Sequence, residues 1–98
     1  MSDINAVITA DDVKAYLGID YADAMVDKNI AKAIAYADGE LRESVGEKYP
    51  VDHPLTSELA LLYASASYEK RDLAGNELKR ANDIALKLRL YLRRVSNG

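Results

Sequence analysis

The residues able to do chemistry are few, and their spacing does not suit it. The single histidine, His53, sits in a loop bounded by Pro50 and Pro54 and reads as a solvated or loop-bonding side chain. Metal sites of the usual kind need several His, Cys or carboxylate ligands at set spacing. Glu40 and Glu43 lie one helical turn apart, but no Glu-x-x-His pairing accompanies them, as a di-metal bundle site requires. Asp20, Asp23 and Asp27 lack the glycine and closing glutamate of a calcium loop and read as helix-start acids. Ser65 and Ser67 would need a base to act as nucleophiles, and no second histidine supplies one. Glycines at 18, 39, 46, 75 and 98 form no phosphate-cradling cluster. The absence of cysteine excludes disulfides and thiolate metal sites. The expectation is a protein with no catalysis, no cofactor and no metal.

What remains for function is surface. Leu86 and Leu90 stand one helical turn apart among Lys79, Arg80, Asp83, Lys87, Arg93 and Arg94, on the side opposite the apolar stripe of their helix. Two leucines on an otherwise charged face point to a contact surface, unless an N-terminal arm or the 46–53 loop folds over them. Lys79, Leu86, Leu90 and Arg93 are therefore candidate interface residues, joined by Met25 and Tyr36, which lie off the core stripe of an earlier helix. The charge is divided along the chain. Residues 1–53 carry 5 Lys and Arg against 11 Asp and Glu, net −6, and residues 54–98 carry 8 against 5, net +3. Opposite halves of this kind attract each other, within one subunit or between copies.

The elements that must position these residues are helical. The longest apolar run, Leu59 to Ala64, lies in a segment 54–73 that opens with Pro54, a residue suited to the first helical turn. Leu55, Leu59, Leu62, Ala66 and Leu73 share one face, and Leu61, Ala64 and Tyr68 another, so this central helix needs neighbours on more than one side. Before it, Ile4, Val7 and Ile8 mark an arm, 1–8, expected to order only by docking. Thr9 with Asp12 reads as a helix cap, Val13, Tyr16 and Leu17 as the inward side of a short helix, and Gly18 as its stop. A longer helix from about Ala22 to Ser44 carries the stripe Val26, Ile30, Ala33, Ile34, Ala37, Leu41 and Val45. The last helix, about 77–95, is set off by Gly75 as a stop and Asn76 as a cap, has the stripe Ala81, Ile84, Ala85, Leu88, Leu92 and Val95, and should run antiparallel to the central one. The predicted fold is a single all-α domain, 9–95, of one short and three longer helices, with a tail at 96–98. Its core includes Ile30, Ile34, Leu41, Leu59, Leu62, Ala66, Leu88 and Leu92. With no basic and apolar leader and a longest apolar run of six residues, the chain is expected to be soluble, used without export and not to enter a membrane.

The order of these features resembles the head–tail connector, or DNA-packaging adaptor, family of tailed bacteriophages. The resemblance rests on ITADDVKAYLGID (8–20), on the Asp-rich start and alanine-rich body of the long helix, on a Pro-containing loop, and on PLTSELALLYASASYEKRD. Its most recognisable pieces are Thr9-x-x-Asp12-Val13-Lys14-x-Tyr16-Leu17 and Tyr68-Glu69-x-Arg71. It implies an all-α subunit assembling as a homo-oligomeric ring below the portal protein, through which DNA passes without sequence-specific binding and onto which tail or neck-completion proteins dock. The place implied is the neck of the virion, with the host cytoplasm before assembly. Two other readings stand beside it. A small DNA-binding regulator would use the last helix, whose six Lys and Arg against two acids give +4. A monomeric helical interaction module, such as an inhibitor or antitoxin, would use the same exposed face.

Overall fold

The computed structural model describes residues 4–97, and in them four α-helices and no strand. Helix α1 spans Ala10–Leu17, α2 Ala24–Ser44, α3 Pro54–Tyr68 and α4 Gly75–Asn97. A single 3-10 turn, Ile4–Ala6, precedes them.

Helix α3 is the element the others surround. Thr56, Leu59, Ala60, Leu62, Ala64, Ser65 and Ala66 are all buried, which a helix of 15 residues achieves only with partners around most of its girth. It packs against α1, α2 and α4, most extensively against α2. Helix α4 runs antiparallel to it. Glu58, early in α3, bonds Arg80, while His53, one turn earlier in the chain, meets the ring of Tyr91, one helix-length later, edge-on at 4.8 Å. The expected cores of both neighbours are in place. Ile30, Ala33, Ile34, Ala37 and Leu41 are buried from α2, and Ala81, Ile84, Ala85 and Leu88 from α4, with Leu92 partly covered.

The helix ends follow local hydrogen bonding. At α1 the Thr9 N–H donates to Asp12 Oδ2 (2.9 Å) and the Asp12 N–H to Thr9 Oγ1 (3.2 Å), a reciprocal capping box, and Gly18 closes the helix at φ +76°. Asp23 caps α2, accepting from the N–H groups of Met25 and Val26, so the helix starts at Ala24. The Arg89 guanidinium donates to the Ser44 carbonyl (2.7 Å), and the Tyr63 hydroxyl to Ser44 Oγ (3.0 Å), tying the end of α2 to α3 and α4.

Several expectations are corrected. The central helix ends at Tyr68, not near residue 73, because Lys70 takes a left-handed conformation at φ +55°. The Lys70 N–H then donates to the Ser67 carbonyl and the Arg71 N–H to the Ala66 carbonyl, the pair of bonds of a Schellman motif with lysine in the place usually held by glycine. Gly75, read as a stop with Asn76 as the next cap, is instead the first residue of α4, at φ +56°. That helix continues through Ser96 and Asn97, both assigned to a tail, while Gly98 lies outside the described residues. Val95 is exposed rather than core, since α4 has passed the end of α3 by that point. Tyr16 is half-exposed, at the edge of a two-turn helix that buries Val13. The arm is docked, as its ordering requires: Ile4, Val7 and Ile8 are buried, and the Ser57 hydroxyl of α3 donates to the Val7 carbonyl (3.2 Å). Residues 1–3 of the arm lie outside the described residues. The 46–53 loop is anchored by Tyr49, buried, with its hydroxyl on Asp38 Oδ1 at 2.7 Å.

Two substitutions check this account by chemical denaturation. Leu62→Ala, opening a cavity beside α3, should destabilise the chain by about 2–5 kcal/mol. Lys70→Gly should stabilise it by roughly 0.5–1 kcal/mol, the relief of a left-handed lysine less the added freedom of glycine in the unfolded chain.

Candidate functional site

Helix α4 buries one side on α3 and leaves the other open. Ala81, Ile84, Ala85 and Leu88 follow the helical repeat on the inner side. Leu86 and Leu90, half a turn out of phase, are 48% and 42% exposed. Among the described residues neither candidate segment covers them, since Ile4, Val7 and Ile8 go into the core and Tyr49 holds the 46–53 loop to α2. Lys79 and Arg93 lie on the same strip and are exposed, and so is Arg94 beside it.

The ionic surroundings leave this strip positive. Arg80 is turned to α3 in a two-pronged bond to Glu58, with Nη2 to Oε1 at 2.8 Å. That bond holds the Glu58 carboxyl below its ordinary range, against the opposing effect of partial burial. Lys87 pairs with Asp83 at 3.1 Å. Lys79, Arg93 and Arg94 take part in no ion pair among the described residues. Every ion pair joins residues of the same half of the chain: Lys14 to Asp27, Arg42 to Asp38 and Glu47, Arg71 to Glu69 and Glu77, Arg80 to Glu58 and Asp83, Lys87 to Asp83. The acidic half therefore does not neutralise the basic helix within the subunit through any of these pairs.

The six candidate interface residues fall in three places. Lys79, Leu86, Leu90 and Arg93 form the strip on α4. Met25 is exposed in the first turn of α2, next to the turn that carries the exposed Tyr21. Tyr36 is three turns further along α2, its hydroxyl on Glu40 Oε1 at 2.9 Å, a bond to a carboxylate that pushes the phenol above its ordinary pKa. It lines an open groove of about 490 Å³ with Tyr63, Ala66, Leu73 and Leu78, to which the connection between α3 and α4 also contributes Lys70, Arg71 and Asp72. Arg71 there is held by Glu77 (2.7 Å) and Glu69 (2.9 Å). Sequence reasoning missed the exposure of Tyr16, Tyr21 and Leu78. An aromatic residue in an Asp-rich turn was the available signal for Tyr21.

The groups singled out for chemistry are occupied structurally. His53 caps α3, its Nδ1 accepting from the Leu55 N–H at 3.1 Å. Ser65 is fully buried with its hydroxyl on the Leu62 carbonyl (3.1 Å). Among the described residues no cluster of three or more His, Asp or Glu could hold a metal ion, and no helix is long and apolar enough to cross a membrane. Comparison with known protein families, with curated proteins and with solved structures finds no match to this chain.

Because Leu86 has no partner across its exposed side, Leu86→Asp should change stability by no more than about 0.5 kcal/mol. A thermal melt of the variant beside Leu62→Ala checks this, and an equal loss in both would make Leu86 a core residue.

Proposed function

We propose that this chain is a structural subunit of a tailed-phage virion, a head–tail connector that assembles as a ring between the capsid portal and the tail. The observation that carries the reading is the α4 strip, in which Leu86 and Leu90 are open to solvent between Lys79 and Arg93, cations that take part in no ion pair among the described residues. A surface of that composition is suited to burial against protein, where aliphatic side chains supply area and charge supplies selectivity. The all-α fold agrees with what the resemblance of residues 8–20 and 54–72 to the connector family implies, and the role needs no turnover. The partners in this reading are sister copies, the portal protein, and tail or neck-completion proteins. The chain would act in the virion neck, after a period in the host cytoplasm.

DNA passes through such a ring. A strongly basic lining would hold it by counterion release, so a subunit with net charge −3 is compatible with transit. The unpaired Lys79, Arg93 and Arg94 favour, as a second reading, a regulator that binds DNA through α4. Against it, the leucines occupy the middle of the face that would enter a groove, where base edges call for polar side chains. Affinity for duplex DNA in the micromolar range or tighter, falling steeply with salt, would favour the regulator.

Deletion of the reading frame from the viral genome that carries it tests the connector role. Electron microscopy should find capsids and tails that do not join, and supplying the chain from a plasmid should restore tailed particles. Tailed, infectious particles from the uncomplemented deletion would overturn the reading.

A further inference from the structure

The strip on α4 has a counterpart elsewhere on the same molecule. Between α1 and the start of α2 lies a shallow recess lined by Asp11, Lys14, Ala15, Ile19, Asp20 and Tyr21. Ala15, Ile19 and Tyr21 give it apolar walls, and Asp11 and Asp20 stand at it in no ion pair among the described residues, Asp11 within the field of Lys14, which Asp27 pairs at 2.7 Å. Tyr21 is 58% exposed, and Met25, in the first turn of α2, is 63% exposed. Across residues 10–28 there are 5 Asp against 2 Lys. The corner thus has the composition of the α4 strip with the sign of the charge reversed: exposed apolar side chains beside an excess of acids, where the strip has exposed leucines beside an excess of cations.

We propose that Leu86 and Leu90 of one copy seat in the α1–α2 recess of a second copy, with Arg93 and Lys79 facing Asp20 and Asp11. The proposal deepens the connector reading and takes from it only that the occupant is a sister copy. Charge complementarity selects this pairing over α4 against α4, which would set Lys79, Arg93 and Arg94 against their own kind. The two surfaces lie on different elements, so the contact is heterologous. Each added copy leaves one free strip and one free recess at the ends, and a closed ring satisfies both. In this arrangement Tyr21 and Met25 form part of the receiving surface, and the groove beside Tyr36 is left free.

The chain contains no cysteine, so single cysteines report proximity without background. Leu90→Cys and Tyr21→Cys chains, both altered only at exposed positions, are mixed at high concentration under mild oxidation, and the disulfide-linked species are separated by mass. The expected result is a mixed L90C–Y21C dimer in several-fold excess over either like pair, and a chain carrying both substitutions should give a ladder of higher oligomers. Arg93→Glu in the L90C chain should lower the mixed product several-fold, and Asp20→Lys in the Y21C chain should restore it. Sedimentation of the unmodified chain accompanies the experiment. Association without the mixed crosslink, or with L90C–L90C dominant, overturns this pairing and leaves the connector role to the deletion test. A chain that stays monomeric at every concentration and gives no mixed crosslink also overturns it. Tailless particles on deletion together with a failed crosslink would mean that the ring forms through other faces.

Discussion

A short helix that is apolar around most of its circumference cannot stand at a surface, and α3 imposes that constraint on every other element. With seven of its 15 residues buried, it needs cover on several sides at once. Each large aliphatic side chain taken from water contributes roughly 1.5–3 kcal/mol, so no arrangement that leaves one side of α3 open competes. Helix α2 supplies the largest contact, α1 and the buried Ile4, Val7 and Ile8 close the flank near its start, and α4 takes the remaining side. Helix α4 is also the longer partner, 23 residues against 15, and α3 is the one helix with which it shares an extensive contact. Its outer face and its last turns therefore project past the core. The open strip is a consequence of geometry before it is anything functional.

Much of this was legible because the signals are local. Thr9 with Asp12, Asp23 and Gly18 sit where backbone groups lack intrahelical partners, and a side chain two or three residues away decides the outcome. The stripes through Ile30, Ile34 and Leu41 and through Ile84 and Leu88 follow the helical period, so the buried side of each helix could be read from spacing alone. Reading failed where a residue acts against its type. Lys70 adopts the left-handed conformation that glycine or asparagine would advertise, held there by two backbone bonds at the end of α3. With that stop hidden, Gly75 was given the role of the stop. Tyr49 and the triplet Ile4, Val7 and Ile8 show the complementary failure. Their segments have no helical period, and only the tertiary arrangement determines that an aromatic ring fills the space beside Asp38 or that an arm completes the flank of α3.

The candidate site divides along the same line. That Leu86 and Leu90 face away from the core follows from phase within one helix. Whether Met25, Tyr36 and Leu86 share a surface depends on how helices are placed relative to one another, and spacing carries no information about that. They do not share one: Tyr36 borders a groove with Leu78, and Met25 lies near the recess between α1 and α2. The recess itself is formed by a turn, Ile19 to Ala22, whose shape no periodic pattern encodes.

The charge division is informative because of what folding leaves undone. The ion pairs among the described residues join helix neighbours such as Lys87 and Asp83 or successive helices such as Arg80 and Glu58, each time within one half of the chain, and each exposed pair adds at most about 1 kcal/mol. Such pairs trim individual charges without mixing the acidic and basic halves, and the segregation visible in the sequence survives as segregation on the surface. Its weight then falls on encounter rather than on stability. Opposed patches attract over about a Debye length, roughly 8 Å at physiological salt, and in the proposed pairing they would hold a second copy in register while the apolar side chains between them lose water. Oriented approach of this kind favours one head-to-tail geometry over the many contacts that two exposed leucines could make alone. A pair of apolar residues without the flanking charge would be adhesive toward any hydrophobic surface. In the proposed contact the flanking charge supplies the selectivity.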